Sequence, residues 1–199
     1  MKELWWIRHG ETDWNLALRI QGSSDVELNE TGIAQARALA PRLEKVAFDA
    51  VYASDLVRAH RTAMLASSGA KIRTDPRLRE LSYGMLEGAR WADMNDEQAA
   101  AARHWQEDPR SRRLPGGGES YDDLAARVAA FVAGLPAEGR FAAFSHGGTI
   151  RSALYTILGH PNGSAWSLAI DNCSVTRLRF SDRDVTILGL NEGALGASR

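Results

Sequence analysis

The chain is poor in the features that announce many kinds of protein. It has 199 residues and one cysteine, Cys173, so no internal disulfide can form. That suits a reducing, cytoplasmic setting. No apolar run reaches membrane-spanning length. The start, MKELWWIRHGE, breaks its apolar stretch with an arginine and reads as a first strand, not a signal peptide. The formal net charge is −1, so no global excess of positive charge points to nucleic acid or a membrane surface. No two histidines lie within five residues of each other, and there is no cysteine pair, which disfavours a metal site. A Gly-Lys dipeptide is lacking, and with it a Walker-type phosphate loop. No Gly-x-Ser-x-Gly elbow marks a serine hydrolase. Neither repeats nor low-complexity linkers occur.

What is present is an ordinary globular mixture, 44% hydrophobic and 25% charged. The length fits one domain spanning 1–199 with a core that needs no metal or disulfide. Leu4 to Ile7 reads as a buried strand, and residues 9–31 as a long polar loop. Thr31 then looks like a helix cap, followed by Ile33, Ala36, Leu39 and Leu43 at helical spacing, with Pro41 as a kink or break. Asp49 to Ser54 reads as a strand, Asp55 to Ala66 as a helix, and 75–90 as loop. A polar, alanine-rich helix is expected over 91–107, further helices over Ser120–Ala133 and Gly148–Leu158, and a strand over Phe141–Ser145. The tail, SVTRLRF then DVTILGL, reads as a hairpin at or near a sheet edge. Strands alternating with helices imply an α/β fold, a three-layer α/β/α sandwich around a mainly parallel sheet.

Three polar signatures each sit just beyond a predicted strand: Arg8-His9, Ser54 with Arg58, and His146. Ligands of open α/β sheets bind outside the carboxyl ends of the strands, so the three can meet in one cleft. The set is chemically coherent. Arg8 and Arg58 offer planar forks of donors to a phosphate. His9 and His146 supply ring nitrogens, as donor or nucleophile, and Asn15 an amide. Gly147 and Gly148 open a helix whose free N–H groups favour an anion. Such a pocket suits a phosphoryl group, whose transition state spreads charge over three oxygens.

Arg8-His9-Gly10-Glu11-Thr12 resembles the signature of the histidine phosphatase superfamily, which includes the phosphoglycerate mutases. Further blocks follow in order: Asn15 with Arg19, Gln21 and Gly22; Ser54-Asp55-Leu56 with Arg58; Arg79-Glu80-Leu81 with Tyr83-Gly84 and Glu87-Gly88; Gly118-Glu119-Ser120; and Ser145-His146-Gly147-Gly148. The resemblance implies a phosphoglycerate mutase-like fold and a phosphohistidine on His9. It also implies phosphoryl contacts from Arg8, Arg58 and His146 with help from Asn15, and Glu80 as the acid that protonates the leaving oxygen. Because a neutral imidazole is the competent nucleophile, a backbone carbonyl is expected to fix its tautomer. The need for a proton donor leads us to expect an activity optimum at mildly acidic to neutral pH.

On this reading the substrate is a small-molecule phosphate ester, with no cofactor and no metal. Gln21, Gly22 and Ser23 are expected to touch it beyond the phosphate, and Gly147 at the phosphate. The run His146-Gly147-Gly148-Thr149 resembles the phosphatase branch more than the mutases, which continue His-Gly-Asn-Ser. A phosphatase is therefore expected, with a mutase and a non-catalytic phospho-ligand binding module as the alternatives. Residues 88–118 form either a cap over the cleft or a solvated face, in which Trp91 and Trp105 line the cap or pack. His60, His104 and His160 are expected to take no part, Glu11 to shape its loop, and Cys173 to be a small buried hydrophobe. A homodimer is the default oligomer.

Overall fold

The computed structural model describes residues 1–159, 168–181 and 183–193. Six strands form one sheet: β1 (Lys2–Arg8), β2 (Ala50–Ala53), β3 (Ile72–Thr74), β4 (Gly139–Ser145), β5 (Val175–Phe180) and β6 (Val185–Glu192). Their order across the sheet is β3-β2-β4-β1-β5-β6. The pairs β1–β4, β2–β4 and β2–β3 are parallel. The tail adds β5 antiparallel to β1, with β6 antiparallel on its far side as the edge strand.

The central strands are apolar throughout because both sheet faces are covered, and successive side chains point to opposite faces. Leu4 and Trp6 face one way, with Phe141, Ala143 and Leu178. They pack on Leu124, Val128 and Phe131 of α5 (Tyr121–Gly134) and on Ile150 and Leu154 of α6 (Gly147–Leu158). Trp5 and Ile7 face the other way with Ala142 and Phe144. They meet Leu39 and Leu43 of α2 (Glu30–Leu43) and Ala63 and Ala66 of α3 (Val57–Ala66). The remaining helices are the single turn α1 (Asp13–Leu16) and α4 (Asp96–Glu107).

Several boundaries differ from the sequence reading for local reasons. The cap of α2 is Asn29, whose side chain accepts the Gly32 N–H at 2.8 Å, and Thr31 lies inside the first turn. Pro41 sits within α2, which continues to Leu43. The loop after β1 contains α1, closed by a reciprocal cap between Thr12 and Asn15. The expected helix over 91–107 begins only at Asp96, where Asn95 and Gln98 form the same kind of cap, and a 3-10 turn occupies Trp91–Asp93. The strand β3 carries one half-buried and two exposed residues, a pattern with little hydrophobic signal.

Parallel pairing brings the carboxyl ends of β1, β2 and β4 to one edge. Arg8 pairs in register with Ser145, and the His9 N–H donates to the Ser145 carbonyl at 2.9 Å. The Ser54 N–H donates to the Phe144 carbonyl at 2.9 Å. The loop beyond β1 is then held against the start of α2 by two glycines. A Cβ on Gly10 would stand 2.5 Å from the Gly32 carbonyl oxygen, and one on Gly32 would stand 2.1 Å from that of Glu11.

Gly32→Ala should therefore destabilise the protein by about 1–3 kcal/mol through backbone displacement rather than lost burial. Urea unfolding measures this, and an unchanged midpoint would show that the two backbones are not held in contact.

Candidate active site

Arg8, His9, Asn15, Arg58, Glu80 and Gly147 all line one cavity of about 860 Å³ at that edge. His146 lies behind the wall, fully buried, with its ring centroid 5.1 Å from that of His9. The residues brought together span 8–147 in the sequence, as the topology required.

The arginines define the electrostatics. Arg58 has no exposed surface, and its two terminal nitrogens donate to the Gly22 and Ser24 carbonyls, each at 2.7 Å. Arg8 donates to the Ile170 carbonyl at 2.6 Å. Among the described residues neither forms an ion pair with a carboxylate, and the Nε of each is buried without a partner. Burial lowers both pKa values, that of Arg58 to about 10, so both remain cations at neutral pH. Glu80 favours both charges, yet neither is ion-paired, and a dianionic ligand would offset the remaining cost of burial.

The histidines are held in defined states. His9 Nδ1 lies 2.6 Å from the Gly10 carbonyl, which can only accept. The proton therefore sits on Nδ1 and Nε2 carries the lone pair. Burial, then the nearby Arg58 and Arg8 charges, push the pKa of His9 well below 6.5. His146 Nε2 lies 3.0 Å from Ser54 Oγ, which already accepts the Leu56 N–H at 3.3 Å. That hydroxyl keeps a proton and a second lone pair, so it can donate to Nε2 or accept from it. His146 Nδ1 is buried and has no partner among the described residues. Burial, then Arg58 and His9, hold the His146 pKa well below 6.5 as well.

Glu80 accepts the Leu81 N–H at 2.9 Å on one oxygen and the Gly148 N–H at 2.9 Å on the other. The expectation that the Gly148 N–H is free for a ligand is thus corrected: this first turn of α6 holds the Glu80 carboxylate. Thr12 donates to Asn15 Oδ1 from its N–H at 3.2 Å and its hydroxyl at 3.1 Å, which leaves the Asn15 amide nitrogen for the cavity. Gln21 and Gly22 line the cavity too, with Gly22 also holding Arg58. Ser23 does not line it; its N–H and hydroxyl both donate to Glu87 at 2.9 Å.

Other residues support these from behind. Arg127 donates to the backbone carbonyls of Arg77, Arg79 and Glu80 and pairs with Glu119 at 2.8 Å, pinning the segment that carries Glu80. Asn172 donates to the His9 carbonyl at 2.9 Å. Arg151 lines the cavity. The sequence reading singled out none of these three; Arg127 could have been found only as an arginine one helical face away from Glu119. Cys173 is buried, and burial raises its thiol pKa to about 12. The Glu11 side chain accepts from Asn29, and its backbone N–H donates to Gln35 Oε1, tying its loop to α2. His60 and His104 do not line the cavity, and His160 lies outside the described residues. In the 88–118 segment, Arg90, Trp91 and Arg110 line the cavity. Trp105 packs in the core, and Arg112 and Arg113 pair with Glu107 and Asp123. Among the described residues no group of His, Cys, Asp or Glu is arranged to hold a metal ion, and no helix is long and apolar enough to cross a membrane.

An α/β sheet that gathers two histidines, two unpaired arginines and a glutamate at its strand ends defines a phosphoryl-handling enzyme. The chain belongs to the histidine phosphatase superfamily, branch 1, whose sequence profile matches residues 4–193. It is 37% identical over 187 residues to the "Probable phosphoglycerate mutase GpmB" of Enterobacter sp. (strain 638), covering 92% of this chain and 86% of that one. The crystal structure of the α-ribazole phosphatase from Shigella flexneri superposes with a TM-score of 0.87 at 30% identity, covering 99% of this chain and 100% of the other. A mycobacterial glucosyl-3-phosphoglycerate phosphatase, solved with VO3, gives a TM-score of 0.80 at 34% identity, covering 96% and 99%.

Two outcomes follow. Both histidines have folded pKa values below the unfolded value near 6.5, so the unfolded chain takes up their protons first. Stability is complete above that pH and falls below it, by up to about 1.4 kcal/mol per pH unit for each ring. Urea unfolding from pH 7 to 5 should show this slope, and His146→Ala should reduce it; a flat profile would contradict neutral buried rings. Second, a Cβ on Gly148 would stand 2.3 Å from Glu80 Oε1. Gly148→Ala should move that carboxylate and reduce kcat by about 10²-fold, with little change in the urea midpoint. Wild-type kcat in this variant would separate Glu80 from the chemistry.

Proposed function

We propose that the protein is a metal-independent phosphomonoesterase acting through a phosphohistidine on His9. The observation that carries this reading is the pair of buried arginines, neither in an ion pair, beside an imidazole whose Nδ1 is committed to the Gly10 carbonyl. An anion seated there meets a lone pair on His9 Nε2.

In the first step the Nε2 pair attacks phosphorus and the bond to the ester oxygen breaks. Glu80, in its acid form, gives that oxygen its proton, so an alcohol leaves instead of an alkoxide. Arg8, Arg58 and the Asn15 amide take the equatorial oxygens, where charge accumulates, and His146 backs the His9 ring from behind the wall. In the second step water attacks phosphorus, the Glu80 carboxylate takes a proton from it, and the N–P bond breaks. Inorganic phosphate leaves with His9 again neutral.

The relative named as a phosphoglycerate mutase supports a second reading, in which the phosphoryl group passes from His9 to another hydroxyl instead of water. The run His146-Gly147-Gly148 and the two phosphatase structures favour water.

Incubation with a panel of phosphate esters should release inorganic phosphate at least tenfold faster than 3-phosphoglycerate is isomerised. Acid-labile, base-stable phosphate should appear on the protein. His9→Ala should abolish both the label and turnover, lowering kcat by at least about 10³-fold with the fold intact. Faster isomerisation than hydrolysis would establish the mutase. Wild-type turnover by His9→Ala would remove the nucleophile, and no turnover of any ester by the wild type would leave a binding module.

A further inference from the structure

The cavity is far larger than a phosphoryl group needs, and its two ends differ in kind. The inner end holds Arg8 and Arg58, neither of them ion-paired, with Glu80 in the same wall. Farther out the cations are already engaged. Arg90 pairs with Asp93 at 3.4 Å, Arg110 with Asp122 at 3.3 Å, and Arg19 donates to the Gly88 carbonyl at 3.2 Å. Among the described residues, Arg90 and Arg110 therefore already face carboxylates, which weakens their pull on a second anionic group of the substrate.

Apolar surface is exposed there instead. Leu18 is 73% exposed and Trp91 41% exposed, and both line the cavity. Their positions are coupled. The backbones of Arg19 and Arg90 form an isolated antiparallel bridge, flanked by the Ile20 N–H donating to the Ala89 carbonyl at 2.9 Å. In that register Leu18 stands opposite Trp91. Leu18 also holds a φ of +54°, a left-handed conformation unfavourable for a side chain branched at Cγ and of the kind that collects at ligand sites. That backbone state closes α1, with the Leu18 N–H donating to the Asn15 carbonyl at 3.1 Å and the Arg19 N–H to the Trp14 carbonyl at 2.8 Å, but the cap does not need a leucine side chain left in water. A ligand surface laid on it would remove both it and Trp91 from water.

We propose that the outer part of the cavity receives the alcohol portion of a phosphate monoester as an uncharged aromatic or alicyclic ring, seated against Trp91 and Leu18. This rests on the phosphomonoesterase reading for turnover, but not for binding.

The test compares phenyl phosphate, glycerol 2-phosphate and 3-phosphoglycerate as substrates of the wild type, Trp91→Ala and Leu18→Ala. Each variant's loss in kcat/KM should be about ten times greater for phenyl phosphate than for glycerol 2-phosphate, a ratio that cancels the difference in leaving-group reactivity. Equal losses on the two esters, or no loss on either, would overturn the proposal. So would a wild-type kcat/KM for 3-phosphoglycerate tenfold above that for phenyl phosphate. Calorimetric binding of phenyl phosphate to the same proteins in the His9→Ala background separates the two levels. If no ester is turned over, the phosphomonoesterase reading fails, yet tenfold weaker binding after Trp91→Ala would still uphold the ring site. Unchanged binding would remove the ring site whatever the turnover.

Discussion

The burial of two guanidinium groups without carboxylate partners is the constraint around which the rest of the structure is arranged. Desolvating an ion costs several kcal/mol even after relaxation. Here the direct contacts come from neutral groups, the carbonyls of Gly22 and Ser24 for Arg58 and of Ile170 for Arg8, while Glu80 favours both charges without ion-pairing to either. Dipoles fix the guanidinium planes while leaving their charge unspent. A carboxylate in the same place would satisfy the fold and neutralise the site. Glu87 shows the distinction. It gathers Ser23, Ser24 and the Tyr83 N–H, and so shapes the loop whose carbonyls hold Arg58 without itself pairing with that arginine.

The same positive field accounts for the state of the two histidines. Beside Arg8 and Arg58 and away from water, a protonated imidazole is unfavourable. His9 can then act as a nucleophile without a separate base, its remaining proton committed to the Gly10 carbonyl. His146 is oriented by Ser54 through Nε2, and its Nδ1 has no partner among the described residues. Two rings of the same residue type, in the field of the same arginines, are thus anchored differently, one by a backbone carbonyl and the other by a hydroxyl.

Much of this was legible in the sequence because the charged and aromatic-nitrogen side chains stand next to apolar strands. Arg8-His9, Ser54 and His146 each follow a run whose burial can be read from its composition, and parallel pairing does the rest. The supporting layer was not legible. The carbonyls of Gly22, Ser24 and Ile170 belong to residues of no distinctive type, and Arg127 reaches Glu80 only through a backbone oxygen. The Gly118-Glu119-Ser120 block was visible as a resemblance, but its work is structural: Glu119 pairs with Arg127, and Ser120 caps α5. Helix starts went astray where two capping residues competed. Asn29 displaced Thr31 because its side chain reaches the Gly32 N–H with the chain still extended.

The position of β1 at the middle of the sheet has a consequence for how the molecule is made. This strand leaves the ribosome well before its neighbours β4 and β5, which begin at Gly139 and Val175. Until they are synthesised, the segment carrying Trp5 and Trp6 has no partner on either side. Pairings of such long sequence separation form slowly and leave apolar strand edges exposed to other nascent chains. The strand that leads into His9 thus spends much of synthesis as an unpaired apolar edge that a chaperone could shield.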